Sequence, residues 1–180
     1  MANVKRKNKS EISKLKIFAY FIGTVSIICI MFTGKNIMTR NDALKKAASI
    51  LGINPNWINR VIQSESRWNP KAKNPYASAR GLIQIVDATA KGIGFKDSLD
   101  AVTRNPDEIS QLFNIAVPYW QLYAPFANDA EFYLANFLPA WRKKPLITVL
   151  PANIQKVNPG LITLGDYVKK VQNTITIPVI

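Results

Sequence analysis

A single glutamate closes an apolar run in the stretch QSESRWNP, residues 63–70, of a chain whose formal net charge is +13. Trp57, Ile58, Val61 and Ile62 recur at helical spacing, and continuing that face by three or four residues arrives at Glu65. A carboxyl group on a buried stripe is short of water. Desolvation penalises its ionised form, raises its pKa and keeps a proton available near neutral pH, as a general acid requires. Trp57 or Trp68 is placed to supply the apolar wall. The same spacing also allows a purely structural role, in which Glu65 pairs with Arg60, Arg67 or Lys71 or turns to solvent at the helix end.

Composition narrows the chemistry. There is no histidine and only one cysteine, Cys29, in 180 residues. Ser-His-Asp and Cys-His nucleophiles are therefore excluded, and neither a disulfide framework nor a cysteine-histidine zinc site can be built. Acid-base work falls to carboxylates. No metal or cofactor is expected.

The elements that must position Glu65 read as helices. Asn41 and Asp42 can cap ALKKAASIL, with Gly52 as its stop, and Asn54-Pro55 starts the helix that carries Glu65. Arg67 to Pro75 holds two Asn-Pro pairs and reads as a loop, after which Gly81 opens GLIQIVDATAKGIG. Asn105-Pro106-Asp107 starts EISQLFNIAVPYWQLY, in which Pro118 is expected to kink or break the helix. Asn128-Asp129 begins AEFYLANFL, and Thr163 with Asp166 stands at capping-box spacing before LGDYVKKVQ. The tail TITIPVI is a short strand or an extended end. The expected domain is mainly α, over residues 42–180.

The first 34 residues differ in kind. A lysine-rich segment, residues 1–16, precedes a charge-free run IFAYFIGTVSIICIMFT at 17–33. Spanning a bilayer takes about 17 to 25 apolar residues, so a transmembrane signal-anchor over 17–34 is expected, followed by a linker at 35–41. A cleaved signal peptide is the competing reading, but no small-x-small cleavage pattern follows the run. A buried core helix is the third. The positive-inside bias keeps the basic tail cytoplasmic and sends the domain across the membrane. The expected protein is single-pass, with membrane lipid around that helix.

The residues after Glu65 carry a resemblance. ESRWNPKA and then NPYASARGLIQI resemble the signature of the lytic transglycosylases and goose-type lysozymes. Glu65-Ser66, Trp68, Asn69-Pro70, Ala72, Ala79, Gly81-Leu82-Ile83-Gln84 and Ala88-Thr89-Ala90 match in order. The segments FYLANFLPAW and VNPGLITLGDYVKKV resemble those of phage-encoded wall-degrading enzymes, which would place the anchor in a host or a virion membrane. The resemblance implies a lysozyme-like helical fold that cuts the MurNAc-GlcNAc β-1,4 bond of peptidoglycan glycan strands. It implies that Glu65 is the acid, that Gln84 and the backbone at Ile83 line the sugar cleft, and that Gly81 lets the chain approach the substrate. Ser78, in preference to Asn74, is assigned to the loop position beside them. Many members of this family bring a tyrosine hydroxyl to the glutamate from an Ala-Tyr-Asn-Ala-Gly segment. Here the comparable residue is Phe137, and Tyr133, one turn earlier, is the candidate replacement.

Glycosidases usually need a second carboxylate. No carboxylate stands between Glu65 and Asp87; Asp87 is the nearby candidate in sequence, and the fold could bring Asp97 or Asp100 closer. A transglycosylase has no such need, because the C6 hydroxyl of MurNAc attacks intramolecularly and one glutamate serves as acid and then base. That outcome is expected, with a hydrolytic muramidase as alternative. A membrane-tethered nucleic-acid binder using Lys143, Lys144, Lys156, Lys169 and Lys170, or a glycan-binding module without activity, are rivals from other classes. The scattered lysines argue against nucleic acid.

Overall fold

The structure, a computed structural model, describes residues 38–180. The sequence-predicted membrane segment at 17–34 lies outside these residues. Among the described residues no helix is long and apolar enough to cross a membrane.

Thr39 opens the unit. Its side chain caps α1, Arg40–Leu51, by accepting from the Asp42 N–H, and Gly52 closes the helix at φ 67° with its N–H on the Ala48 carbonyl. The cap therefore falls two residues before Asn41, the first cap that sequence suggests, because Asp42 spends its carboxylate on the Thr39 hydroxyl. Asn54 caps α2, Pro55–Ser66, and Pro55 takes the first turn, where its missing N–H costs nothing. The small buried face of α1, with Ala43, Ala47 and Ala48, lets it lie close against α2. Two short helices follow, α3 at Asp87–Gly92 and α4 at Ser98–Arg104.

The next helical stretch is continuous, so of the kink or break expected at Pro118 the break does not occur, and the distortion is a π turn. It runs as α5, Glu108–Gln111, then a π turn at Leu112–Ala116, then α6, Val117–Gln121. Proline lacks an N–H and its ring crowds the preceding turn. The wider turn just before it, with the Val117 N–H reaching back to the Leu112 carbonyl, carries the chain past that obstacle.

Helix α7, Asp129–Phe137, is the centre of the unit. Phe132, Tyr133, Leu134 and Ala135 are buried in succession, so the helix presents apolar groups on all sides. It is packed by α2, α6 and α9, Leu164–Gln172, with Trp120 edge-on to Phe132 at 4.9 Å. A 3-10 turn at Pro139–Trp141 and α8, Ala152–Val157, lie between α7 and α9. Thr163 and Asp166 form the capping box that their spacing predicts. The tail is an extended end: Asn59 donates to the Ile177 carbonyl and Asn56 accepts from the Val179 N–H. The described residues are thus mainly helical, with only isolated bridges, such as Arg80 with Ile85, in place of strands.

One polar side chain ties the irregular loop to this scaffold. Gln111, 2% exposed, accepts from the Leu82 N–H at 2.9 Å and donates to the carbonyls of Pro70 at 2.8 Å and Asn105 at 2.9 Å. Gly81 sits directly above it. A Cβ there would lie 2.5 Å from the Gln111 Oε1 and 2.9 Å from Val102. The glycine is required by the packing beneath the loop, at φ 72°, and the space its absent side chain vacates faces the interior. This corrects the expectation that Gly81 keeps a groove open for substrate.

Replacing Gln111 by leucine keeps the volume and strands two buried backbone groups, at about 1–3 kcal/mol each, and one that is partly buried. The expected loss is about 3 kcal/mol or more of unfolding free energy, read by urea denaturation. A change below about 1 kcal/mol would show that the loop is held by other contacts.

Candidate active site

Glu65 occupies the last turn of α2, one residue before its end. Arg67 stops the helix in the left-handed conformation, φ 55°, with its N–H on the Gln63 carbonyl, and Trp68 follows at φ 62°. The chain thereby turns away and leaves Glu65 half-buried at the floor of a cleft of about 430 Å³. No salt bridge to Arg60, Arg67 or Lys71 forms among the described residues. Instead the Tyr167 hydroxyl, from a helix 102 residues further along, donates to Glu65 Oε1 at 2.7 Å.

The partner is itself held. Tyr167 is 1% exposed and stacks on Phe137, with ring centroids 4.2 Å apart and planes 10° from parallel. Three helices, α2, α7 and α9, therefore each deliver one member of the Glu65-Phe137-Tyr167 cluster. Burial pushes the Glu65 pKa above its ordinary value of 4.5, opposed by the Tyr167 hydrogen bond and by the charge of Lys170. Burial and the neighbouring carboxylate push Tyr167 well above the ordinary tyrosine value, so it remains a donor. The carboxyl is thus biased towards its protonated form while a neutral donor fixes one of its oxygens.

The other sequence-predicted residues divide. Ile83, Gln84 and Phe137 line the cleft with Glu65. Gln84 lies at φ 52°, an uncommon conformation for a residue with a side chain, and its Nε2 donates to the Gly81 carbonyl at 2.9 Å. The reciprocal bonds between Arg80 and Ile85 close the turn around it. Ser78 does not line the cleft: its hydroxyl accepts from the Asp87 N–H, and its carbonyl accepts from Ser98. Asn74, the alternative that sequence leaves open, does line it. Tyr133 is fully buried, makes no hydrogen bond through its hydroxyl and lies outside the cleft lining. The tyrosine beside the glutamate is Tyr167 instead. Trp68 and Trp57 are not the wall either, since Trp68 donates to Asn59 beneath Arg40 and Trp57 faces Phe132.

Sequence reasoning missed Tyr167, Asn136, Tyr119 and Asn158. On α9 Tyr167 shares a buried face with Leu164, Val168 and Val171, and its hydroxyl is the one polar group on that face. A polar tip on an aliphatic stripe was the available signal. Asn136 follows a buried run and accepts from the Trp120 indole, so it reads as core.

The second-carboxylate candidates are all engaged elsewhere. Asp87 accepts from the Ser98 N–H at 3.0 Å and hydroxyl at 2.6 Å, which holds its pKa below the usual carboxylate value. Asp97 caps α4, and Asp100 accepts from the Lys96 N–H and pairs with Arg104 at 3.4 Å. Among the residues lining the cleft, Glu65 is the only carboxylate.

A half-buried acid with a raised pKa, beside a protonated phenol and without a second carboxylate, defines a class of site that can give and retake one proton. Residues 42–117 match the family model described as the Transglycosylase SLT domain, so that segment is similar to the lytic transglycosylases. Over 40 residues, 22% of this chain, it is 45% identical to a membrane-bound lytic murein transglycosylase F of Yersinia enterocolitica serotype O:8 / biotype 1B. The aligned stretch covers 8% of that protein, so the chain spans a small part of the curated relative it matches. No solved structure matches the chain significantly. Phe137, Asn158 and Tyr167 all lie beyond the matched segment.

Two outcomes follow from the electrostatics. A carboxyl whose folded pKa is raised binds more protons folded than unfolded, so stability falls as pH rises from 4.5 through the folded value. Glu65→Gln is therefore expected to be more stable than the parent at neutral pH and equal to it below pH 4.5, measured by denaturant melts across pH. An equal margin at both ends would contradict burial as the cause. Tyr167→Phe removes a bond that favours the carboxylate, so the Glu65 titration followed by carboxyl NMR is expected to move upward. A downward move would refute the assigned donor.

Proposed function

We propose that the chain is a peptidoglycan lytic transglycosylase that cuts the MurNAc-GlcNAc β-1,4 bond with Glu65 as its one acid and base. The observation that carries this reading is a cleft with a single carboxylate, held by Tyr167 and biased to the protonated form. Oε1 is engaged by the phenol, which leaves Oε2 for the substrate. In the first half of the reaction the Glu65 proton passes to the glycosidic oxygen as the bond to the MurNAc anomeric carbon breaks. The GlcNAc side leaves as an alcohol. The carboxylate that remains is stabilised by the Tyr167 hydrogen bond and by Lys170. In the second half it takes the proton of the MurNAc C6 hydroxyl while that oxygen bonds to the anomeric carbon. The product is a 1,6-anhydroMurNAc end, and Glu65 is protonated again.

No water enters this scheme, which suits a cleft whose lining holds no carboxylate besides Glu65. Well-oriented intramolecular attack can contribute about 7–11 kcal/mol towards the barrier, and a second carboxylate is then unnecessary. The lysozyme-like reading of the fold belongs to the same proposal. So does the location: the charge-free run at 17–34 anchors the chain in a membrane, with the domain facing the wall, and the phage-like segments fit local wall opening by a virus. Net positive charge concentrates such a domain on a wall that carries carboxylates. Lys144 lies 3.7 Å from the Trp141 ring, a surface cation-aromatic contact that serves no single stripe of the kind a nucleic-acid binder needs.

Digestion of purified peptidoglycan is expected to release fragments with anhydroMurNAc ends, identified by mass spectrometry. Glu65→Gln is expected to lose about 10²-fold or more of the rate. Reducing MurNAc ends alone would make the protein a hydrolytic muramidase, and undiminished clearing by the variant would remove Glu65 from its role.

A further inference from the structure

Tyr76 is 89% exposed on the rim of the cleft that holds Glu65. Among the described residues it takes part in none of the ring-ring or cation-ring contacts that occupy Trp57, Trp68, Tyr119, Phe137 and Trp141. Its backbone is nonetheless fixed. The Tyr76 N–H donates to Asn74 Oδ1 at 2.8 Å, and the Asn74 N–H donates to the Ala79 carbonyl at 3.0 Å, so the loop is closed beneath the ring. Lys73 and Arg80 pair across its base. A large apolar face held out in water on a braced loop is a surface prepared for a partner.

The polar groups nearby are complementary. Asn74 uses its amide oxygen on Tyr76 and keeps its amide N–H groups. Asn158, which lines the same cleft at the end of α8, spends its amide N–H on the Ile154 carbonyl at 3.0 Å and keeps its oxygen. An aromatic face, one amide donor and one amide acceptor match a neutral N-acetylated pyranose. Its C–H groups make an apolar ring face, and its hydroxyl and acetamido groups both give and accept hydrogen bonds. Nothing in this set is acidic.

We propose that Tyr76, with Asn74 and Asn158, forms a sugar-stacking subsite that grips the glycan strand away from the bond being cut. The proposal rests on the reading of the Glu65 cleft as a murein-cutting site. Tyr76 is a positioning residue in it, contributing to affinity, while the proton chemistry stays with Glu65.

The test uses the full chain carrying Glu65→Gln, which leaves the glycan uncut, and sedimentation with isolated murein sacculi. Adding Tyr76→Ala is expected to weaken binding roughly tenfold, and Tyr76→Trp to stay within about twofold of the tyrosine. With Glu65 intact, the Tyr76→Ala loss is expected to fall mainly on KM. Unchanged binding by the alanine variant would overturn the subsite, and so would a tryptophan variant as weak as alanine. If the parent cuts murein and Tyr76→Ala binds it normally, only the subsite falls. If the parent neither cuts murein nor, as Glu65→Gln, binds it, the reading of the cleft falls and takes the subsite with it.

Discussion

Burying a carboxyl group at a helix end sets the terms for everything around it. An ionised carboxylate in a dry site is costly unless paired, and no lysine or arginine forms a salt bridge with Glu65 among the described residues. The fold answers with a neutral donor. Tyr167 steadies the charged form, while desolvation, the larger influence, still holds the Glu65 pKa above its ordinary value. A cation in direct contact would tip that balance the other way. Lys170, which lies over the Tyr167 ring at 6.0 Å and acts on Glu65 through its charge, shifts it only in part.

That constraint explains the placement of the helices. Tyr167 can reach Glu65 only if α9 packs across α2, and its ring needs a flat apolar neighbour, which Phe137 at the end of α7 supplies. Helix α7 in turn is held from all sides by Phe132, Tyr133 and Leu134 in the core. The wall of the cleft is therefore an extension of the core. On the opposite chain segment the loop that carries Asn74 to Gln84 has little regular structure, and Gln111 stands in for a sheet by satisfying its backbone groups. The positive φ at Gln84 is the strained point of that loop, beside the acid.

Much of this was legible in the residues. The helical stripe ending at Glu65, the caps at Asn54 and Asn128 and the box at Thr163-Asp166 follow from local rules, since a cap is decided within four residues. The resemblance carried by the residues from Glu65 to Gln84, rather than a local rule, singled out Ile83 and Gln84, which line the cleft with Glu65. Local rules failed where two solutions were locally equivalent. Ser78 and Asn74 sit four residues apart in one loop, and only the pull of Asp87 and Ser98 turns the serine away from the cleft. Pro118 left a kink and a break both open, and the structure keeps the helix continuous through a π turn in which Leu112 and Ile115 are buried.

Sequence alone determined that the chain has no histidine to do acid-base work, that one carboxylate ends an apolar helix face, and that the unit is mainly helical. These depend on composition and on periodicities of a few residues. The source of the phenol was decided only by tertiary structure. Phe137 reads as a missing hydroxyl and Tyr133 as its nearest substitute, whereas the group that meets Glu65 comes from 102 residues away. A hydrogen bond is a statement about distance in space, and nothing in the local order of residues carries that distance until the helices have packed.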